Sequence, residues 1–466
     1  MSLPLLNIDG LSYRYPGAAA PALCELSFAV GEGECVCLTG NSGCGKSTLL
    51  LAIMGLLRGG TLEGRLEFPV RLDQERFSSL AGMVFQNPES QMLCTTVAEE
   101  VAFGPENLRV PPEEIGRRVG DALRAVGLAG EEGRSAERFS AGQKQRLTIA
   151  SVLSMYPRLL LLDEPTSQLD ARGKSELTAI LADLKRRGYT LVMAEHDPRP
   201  FADLIDRYLA LEGGRLVAAT GSLPDPGQYL PPAGPCFPPP CPVWEGEPEL
   251  LHAEGVGLSY PETGEVLKQV RLRVQRGERV HLFGGNGAGK SSLLRCLAGL
   301  ERPDAGYLSL VGLANPAPEE LPGKVGVLFQ NPARQLFAET VYEEVAFTPR
   351  RLGLPREEVG RLVAEALEIC GIAHLAGRAP LTLSFGEQHR VALAAVVAPR
   401  PELLLLDEPF AGLDYSQRLS LLKVLAGMPE SYGTAVLIAS HDELPDPRWA
   451  DRSYLLHGGS LAEISR

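Results

Sequence analysis

The sequence repeats itself once, and that repeat fixes the architecture before composition is considered. Gly40-Asn41-Ser42-Gly43-Cys44-Gly45-Lys46-Ser47 recurs as Gly284-Gly285-Asn286-Gly287-Ala288-Gly289-Lys290-Ser291, an offset of 244 residues from 46 to 290. Phe85-Gln86-Asn87-Pro88 recurs as Phe329-Gln330-Asn331-Pro332 at the same offset, as do Ser140 and Ser384, and Asp163 and Asp407; His196 and His441 stand 245 apart. A shift of one residue over that length means two copies of one fold.

Between the copies, residues 221–248 carry ten prolines and no lysine or arginine, a composition that cannot pack a core and favours extended polyproline geometry. At about 3.1 Å per residue such a tether spans up to roughly 90 Å, enough for the second copy to turn and face the first. The expected boundaries are residues 3–222 for the first domain, 223–248 for the linker and 249–466 for the second. Cys236 and Cys241 lie in the tether with no second pair nearby, so they read as incidental thiols and not as a metal site. Nine cysteines scattered over 466 residues likewise read as reduced thiols.

Charge narrows the range of functions. Lys plus Arg is 45 against 58 Asp plus Glu, and the net charge of -13 disfavours general nucleic-acid binding. No stretch approaches the roughly 18 apolar residues of a membrane helix. Residues 1–17 lack the basic and then apolar order of a secretory signal, so the chain is expected to stay in the cytosol.

Each copy runs strand, glycine loop, helix, helical insert, strand. Residues 34–39 form a short β-rich run feeding the loop at Gly40, and residues 47–54 read as the helix after it. In the insert, Ile115, Val119, Leu123 and Val126 share one helical face, and Val359, Val363, Leu367 and Cys370 repeat it. Leu159 to Leu162, ahead of Asp163, suits a fully buried parallel strand. Each copy is therefore an α/β core with an inserted helical lobe.

The loop fits G-x-x-x-x-G-K-[ST], in which glycines let backbone N–H groups close around phosphate oxygens at a helix N-terminus. Lys46 and Lys290 would neutralise the β- and γ-phosphates, and Ser47 and Ser291 would hold Mg²⁺. Asp163 and Asp407 supply a second Mg²⁺ contact at a strand end; the adjacent Glu164 and Glu408 suit orientation and deprotonation of the attacking water. Ser140-x-x-Gln143 and Ser384-x-x-Glu387 match the capping box that starts a helix, whose N–H groups and dipole can also grip a phosphate.

In this order the motifs resemble the nucleotide-binding domain of the ATP-binding cassette proteins, over residues 3–222 and 249–466. The resemblance rests on both phosphate loops, Gln86 and Gln330, the Asp-Glu-Pro strand ends, Asp170 and Asp414, and His196 and His441. Phe139-Ser140-Ala141-Gly142-Gln143 and Leu383-Ser384-Phe385-Gly386-Glu387 stand in place of the usual signature. It implies an α/β fold of two P-loop NTPase domains, each with an N-terminal antiparallel β region and an inserted helical subdomain, hydrolysing ATP with Mg²⁺.

By the same resemblance Gln86 and Gln330 sense Mg²⁺ and the water, His196 and His441 contact the γ-phosphate, and Tyr15 and Tyr260 stack on adenine. Tyr13 is a rival in the first copy. The nucleotides lie on residues 40–48 and 284–292, ending at Thr48 and Ser292. The copies pair head to tail, so that Lys46 meets Ser384, Gly386 and Glu387 while Lys290 meets Ser140, Gly142 and Gln143. Both sites keep the full set and are expected to be competent, with modest asymmetry because Glu387 adds a carboxylate near a polyanionic ligand.

The segments Gln86 to Gln91 and Gln330 to Gln335, with Thr96 to Phe103 and Thr340 to Phe347, resemble the glutamine-loop region of energy-coupling factor transporters and their cobalt and nickel relatives. That implies an importer ATPase on the cytoplasmic face of the membrane, peripheral to it. Its partners would be a separate transmembrane coupling subunit and a substrate-capture membrane subunit, with no nucleic acid; the cargo is a vitamin, a vitamin precursor or a transition metal ion. Glu99, Glu100, Glu343 and Glu344 read either as contacts for basic residues of the coupling subunit or as a solvated helix face. The alternative class is a soluble tandem cassette ATPase acting on ribosomes or nucleic acid; its usual basic linker, zinc modules or iron–sulfur cysteines have no counterpart here.

Overall fold

The structure, a computed structural model, describes all residues except 1–3, 19, 69–79, 168, 223–248, 262–263, 332–333, 384, 411–412, 414 and 465–466. The expected linker with Cys236 and Cys241 therefore lies outside the described residues, as do Ser384 and Asp414. The chain divides into two compact units, Met1–Pro231 and Pro232–Arg466.

In the first unit the leucine run is the central buried strand, Leu159–Asp163, with every residue buried. Leu159 and Leu161 pack to one face and Leu160 and Leu162 to the other, the period of two that a strand imposes. One face meets the antiparallel sheet of Leu23–Gly31, Pro4–Arg14 and Thr61–Glu67. The other meets the lobe helices Val97–Asn107, Pro112–Ala125 and Ala141–Leu153. Val119, Leu123 and Val126 are buried there and Ile115 partly so, as their spacing predicts.

The central sheet runs Ala81–Val84, Leu159–Asp163, Thr190–Ala194, Cys35–Thr39, Arg207–Glu212, Arg215–Thr220, all parallel but the last. Parallel strands release their chains at one edge. The loops bearing Gln86, Glu164, Glu195 and Gly40 therefore leave neighbouring strands at the same carboxyl end, where ligands of open α/β sheets bind.

The second unit repeats this plan. Its six strands are Val325–Leu328, Leu403–Asp407, Ala435–Ser440, Arg279–Phe283, Arg452–His457 and Ser460–Glu463. A four-stranded antiparallel sheet is built on Leu251–Tyr260. Asp163 pairs with Ala194 and Asp407 with Ala439, so the extra residue falls between them. The intervening helix is Ala171–Arg186, 16 residues, in the first unit and Tyr415–Tyr432, 18 residues, in the second. Among the described residues no helix is long and apolar enough to cross a membrane, and every cysteine is a free thiol.

The cores are not equally polar. His281 and His389 are buried where the first unit has Cys37 and Gln145, and burial pushes each imidazole down to about 4 from 6.5. Each stays neutral in the folded chain but takes up a proton when unfolded below pH 6.5, so its stability contribution is lost as pH falls from 6.5 towards 4. The full loss is about 3 kcal/mol per imidazole. His389→Gln, which installs the first unit's residue, is expected to flatten the acid limb of denaturant midpoints for the second unit; an unchanged limb would contradict it.

Candidate functional site

The helix Lys46–Ile53 starts directly after Gly45, whose φ of 106° belongs to glycine. A Cβ there would stand 2.7 Å from the Ala22 carbonyl oxygen, so the loop hugs the preceding sheet with no room for a side chain. Lys46, 4% exposed, curls over its own loop and donates to the carbonyls of Gly40 (2.6 Å) and Asn41 (3.2 Å). Asn41, Ser42 and Gly43 are exposed, while Cys44 is buried and its thiol is pushed up by that burial.

Ser47 Oγ donates to Asp163 Oδ1 at 3.0 Å, which puts both oxygens within reach of one cation. Burial, then the neighbouring Glu164, push Asp163 up to about 6. Glu164 stands at φ 45°, a left-handed conformation that costs a non-glycine residue roughly 1–2 kcal/mol and turns its carboxylate out of the strand. Gln86 Nε2 donates to Glu164 Oε2 at 2.7 Å, and His196 Nε2 lies 2.7 Å from Glu164 Oε1. Gln86, Glu164 and His196 thus form one cluster beside the phosphate loop.

The second unit gathers a different set. Lys290 Nζ donates to the Gly284 (2.7 Å) and Gly285 (3.2 Å) carbonyls and also pairs with Glu408 Oε1 at 3.1 Å. His441 Nδ1 lies 2.8 Å from Glu408 Oε2. Burial would raise the Glu408 carboxyl, yet His441 and Lys290 together hold it below the usual range. Gln330, expected to mirror Gln86, has an exposed side chain, and Lys290 occupies the side of Glu408 that Gln86 takes on Glu164.

Asp407 is pushed up to about 6 by burial, with Ser291 hydrogen-bonded to it, and its Oδ1 is buried without a hydrogen-bond partner among the described residues. His441 Nε2 is likewise without one. Buried atoms of this kind can accept a ligand, ion or water. Both donor sets, Ser47 with Asp163 and Ser291 with Asp407, fit a Mg²⁺ ion. Asn286 and Gly287 are exposed on the second loop, with Ala288 and Gly289 half-buried behind them.

Tyr13 is removed from contention for adenine. It is 1% exposed, its hydroxyl donates to the Gly59 carbonyl, and Tyr15 packs edge-on against it with 40% exposure. Tyr15 Oη lies 3.1 Å from Thr48 Oγ1, and Tyr260 Oη donates to Glu301 Oε2 (2.7 Å) and lies 3.3 Å from Ser292 Oγ. Both tyrosines therefore stand over the start of the loop helix.

Ser140 and Gln143 form the expected capping box: the Ser140 hydroxyl accepts from Gln143 N and Gln143 Oε1 accepts from Ser140 N. Gly142, Gly386 and Glu387 are half-buried in the first turns of their helices. Asp170 caps the helix Ala171–Arg186 by accepting from Gly173 N at 2.8 Å, so its carboxylate already has a local task. Lys144, on the Ser140 helix, pairs with Glu89 of the glutamine loop at 2.6 Å, tying the two segments together.

The acidic run divides. Glu99 and Glu343 are exposed, but Glu100 and Glu344 are 4% exposed, so the solvated-face reading fails for these two. Glu100 Oε2 accepts from the backbone N–H groups of Leu93 and Cys94, and Glu344 Oε2 from those of Phe337 and Ala338. Gln91 and Gln335 do the same work upstream, each accepting from Phe85 or Phe329 N and donating to the Met83 or Val327 carbonyl. Glu100→Ala would strand two donors at about 1–3 kcal/mol each. The first unit should melt several degrees lower, with a much smaller effect of Glu99→Ala; equal shifts would contradict the assignment.

Sequence reasoning named Glu100 and Glu344 but missed their burial and the backbone they staple, and it missed Glu195 and Thr166 altogether. Val97 and Val101 place position 100 on the buried helix face, a signal available in the spacing. Glu195 could have been flagged as a carboxylate directly after an apolar strand, with serine at the matching position 440.

Fold and site together define a P-loop ATPase, present twice. The family of ABC transporters matches residues 23–167 and again 267–411. A Bifidobacterium longum protein described as an ABC transporter ATP-binding protein is 36% identical over 501 residues, covering 96% of this chain and 64% of its own length, so the chain spans only part of that relative. A Methanosarcina acetivorans protein of the same description is 32% identical over 523 residues, covering 98% and 85%. A Bacillus subtilis protein with the provisional name HMP/thiamine import ATP-binding protein YkoD is 31% identical over 501 residues, covering 98% and 91%. The solved structure of cbiO1 from Clostridium perfringens, described as part of the ABC transporter complex cbiONQ, is similar at 33% identity and a TM-score of 0.43 over 46% of this chain and 88% of that one. The chain belongs to the ABC transporter family, as an ATP-hydrolysing, ATP-binding protein with two cassette domains.

Proposed function

We propose that the chain is the energy-coupling subunit of a membrane importer of the energy-coupling factor type, working from the cytoplasmic face on a separate transmembrane subunit. The cargo class is a vitamin, a vitamin precursor or a transition metal ion, captured by a further membrane subunit. One observation carries the reading. Both units hold the chain after the glutamine loop with the same two side-chain staples, and each presents apolar side chains there to solvent: Leu93 (69%) and Phe103 (43%), Phe337 (63%) and Phe347 (43%). A rigid backbone carrying exposed apolar groups fits a docking surface for a partner's helix end. The import name of the Bacillus relative supports the same reading.

In this reading residues 40–48 and 284–292 hold ATP, Ser47 with Asp163 and Ser291 with Asp407 hold Mg²⁺, and Tyr15 and Tyr260 stack on adenine. When bound, Mg²⁺ neutralises charge on the phosphates. Glu164 and Glu408 orient the attacking water and accept its proton, while His196 and His441 hold each glutamate and face the γ-phosphate. The signature helices at Ser140 and Ser384 complete each other's sites, and Gln86 with the Lys144–Glu89 pair passes closure to the docking surface.

Leu93→Asp with Phe337→Asp, purified from the membranes of its own host, is expected to lose about tenfold or more of the copurifying membrane subunits while soluble ATP turnover persists. Undiminished copurification would contradict the docking surface. Salt-sensitive cosedimentation with ribosomes, without membrane partners, would favour the soluble class instead.

A further inference from the structure

One buried carboxylate of the first unit has no counterpart in the second. Glu195 is 3% exposed, and its Oε1 accepts both from Thr166 N (3.2 Å) and from Thr166 Oγ1 (2.9 Å). Thr166 lies two residues after Glu164, in the turn whose left-handed entry the glutamate adopts, and Glu195 immediately precedes His196. A backbone bond from Glu164 N to the Ala194 carbonyl joins the same two segments from the other side.

The second unit closes the equivalent region differently. Ser440 stands where Glu195 does and meets His281 Nε2 at 2.9 Å, while its hydroxyl also reaches the Asp442 carbonyl. Phe410, buried, replaces Thr166. Three positions thus differ between the units, Cys37, Thr166 and Glu195 against His281, Phe410 and Ser440, with Glu195 bonded to Thr166 in the first and Ser440 to His281 in the second.

We infer that Glu195 is a positioning residue of the first ATP site only, clasping the Glu164 turn to the strand end that carries His196, so that base and histidine are held in register. The inference rests on the reading of Glu164 as the base. The same brace is absent from the second unit, where His441 meets Glu408 through its backbone N–H and its Nδ1. Burial, then Glu164, push Glu195 up to about 8, so near neutrality its carboxyl is mostly protonated and glutamine imitates it closely. Because one oxygen takes both Thr166 bonds, the amide oxygen of glutamine can take them too.

The test uses the full chain with a protease site placed in residues 223–248, photolabelled with 8-azido-ATP carrying ³²P at either the α or the γ position and cleaved afterwards to separate the halves. The α label reports binding in each half, and loss of the γ label reports hydrolysis there. Glu195→Ala is expected to slow γ-label loss in the first half by about tenfold or more, the scale set by small misplacements of a catalytic group. Binding in the first half, and both readings in the second, should stay within about twofold, and Glu195→Gln should keep at least about half of the first-half rate. Unaltered first-half hydrolysis in Glu195→Ala, equal losses in both halves, loss of binding in step with hydrolysis, or Glu195→Gln failing as badly as alanine would each overturn the inference. Glu164→Gln is the control: if that change spares first-half hydrolysis, the base has been misassigned, a failure distinct from that of Glu195.

Discussion

Glutamine at both positions 164 and 408 is expected to slow ATP hydrolysis by about 10²–10⁴-fold while nucleotide binding persists, because a positioned base contributes on that scale. Gln86 and His196 meet different oxygens of Glu164, so the amide keeps one of the two contacts at the first site and loses the basic oxygen. The second site should respond further. Glu408 holds Lys290 at 3.1 Å and His441 at 2.8 Å, so the carboxylate competes with incoming phosphate for both groups. Its neutralisation releases them, and ATP should bind the second unit more tightly in Glu408→Gln than in the parent chain. Phosphate release and equilibrium binding of a fluorescent ATP analogue separate the two effects; hydrolysis above about a tenth of the parent rate would contradict the assignment.

The second large effect comes from a methyl group. Gly45→Ala places a side chain at φ 106°, with its Cβ 2.7 Å from the Ala22 carbonyl oxygen and 2.9 Å from Leu23 Cδ2. Backbone strain alone costs about 1–3 kcal/mol, and the clash with rigid backbone adds to it by displacing the loop. ATP affinity at the first site should fall by more than about tenfold, together with a lower melting temperature of that unit. Gly289→Ala, at φ 99°, meets Val266 Cγ1 at 3.1 Å, Leu267 Cδ2 at 3.2 Å and the Val266 carbonyl oxygen at 3.2 Å, looser than the 2.7 Å approach at Gly45, so its effect should be smaller. Gly43→Ala, at φ 78° with nothing within 4 Å, should cost only the strain, about 1 kcal/mol. Any other ranking of the three would show that loop shape does not control binding.

The repeat made the duplicated α/β plan readable, because apolar strands, glycine loops and capping residues are local patterns. The loop helix was read over residues 47–54 and runs Lys46–Ile53. What escaped was direction. Period-two alternation along Pro4–Arg14 turns Tyr13 inward and leaves Tyr15 beyond the strand end, which separates the two tyrosines where ring chemistry does not. Glu100 and Glu344 look like surface acids until the stranded N–H groups of the preceding loop are counted. Gln86 and Gln330 share their motif, yet one lies on its glutamate and the other faces solvent. Spacing specifies which residues meet only when the loops between them are built alike, and Pro88-Glu89-Ser90 is not matched by Pro332-Ala333-Arg334.

The proposed function turns on each nucleotide being held by the loop of one half and the signature helix of the other, and cross-linking tests that proposal most directly. In a Lys290→Ala chain carrying the cleavable linker, ATP bearing a photoreactive group on its γ-phosphate binds at Lys46 and is irradiated. The account predicts label in the second half, within residues 383–388. Label confined to the first half would contradict it.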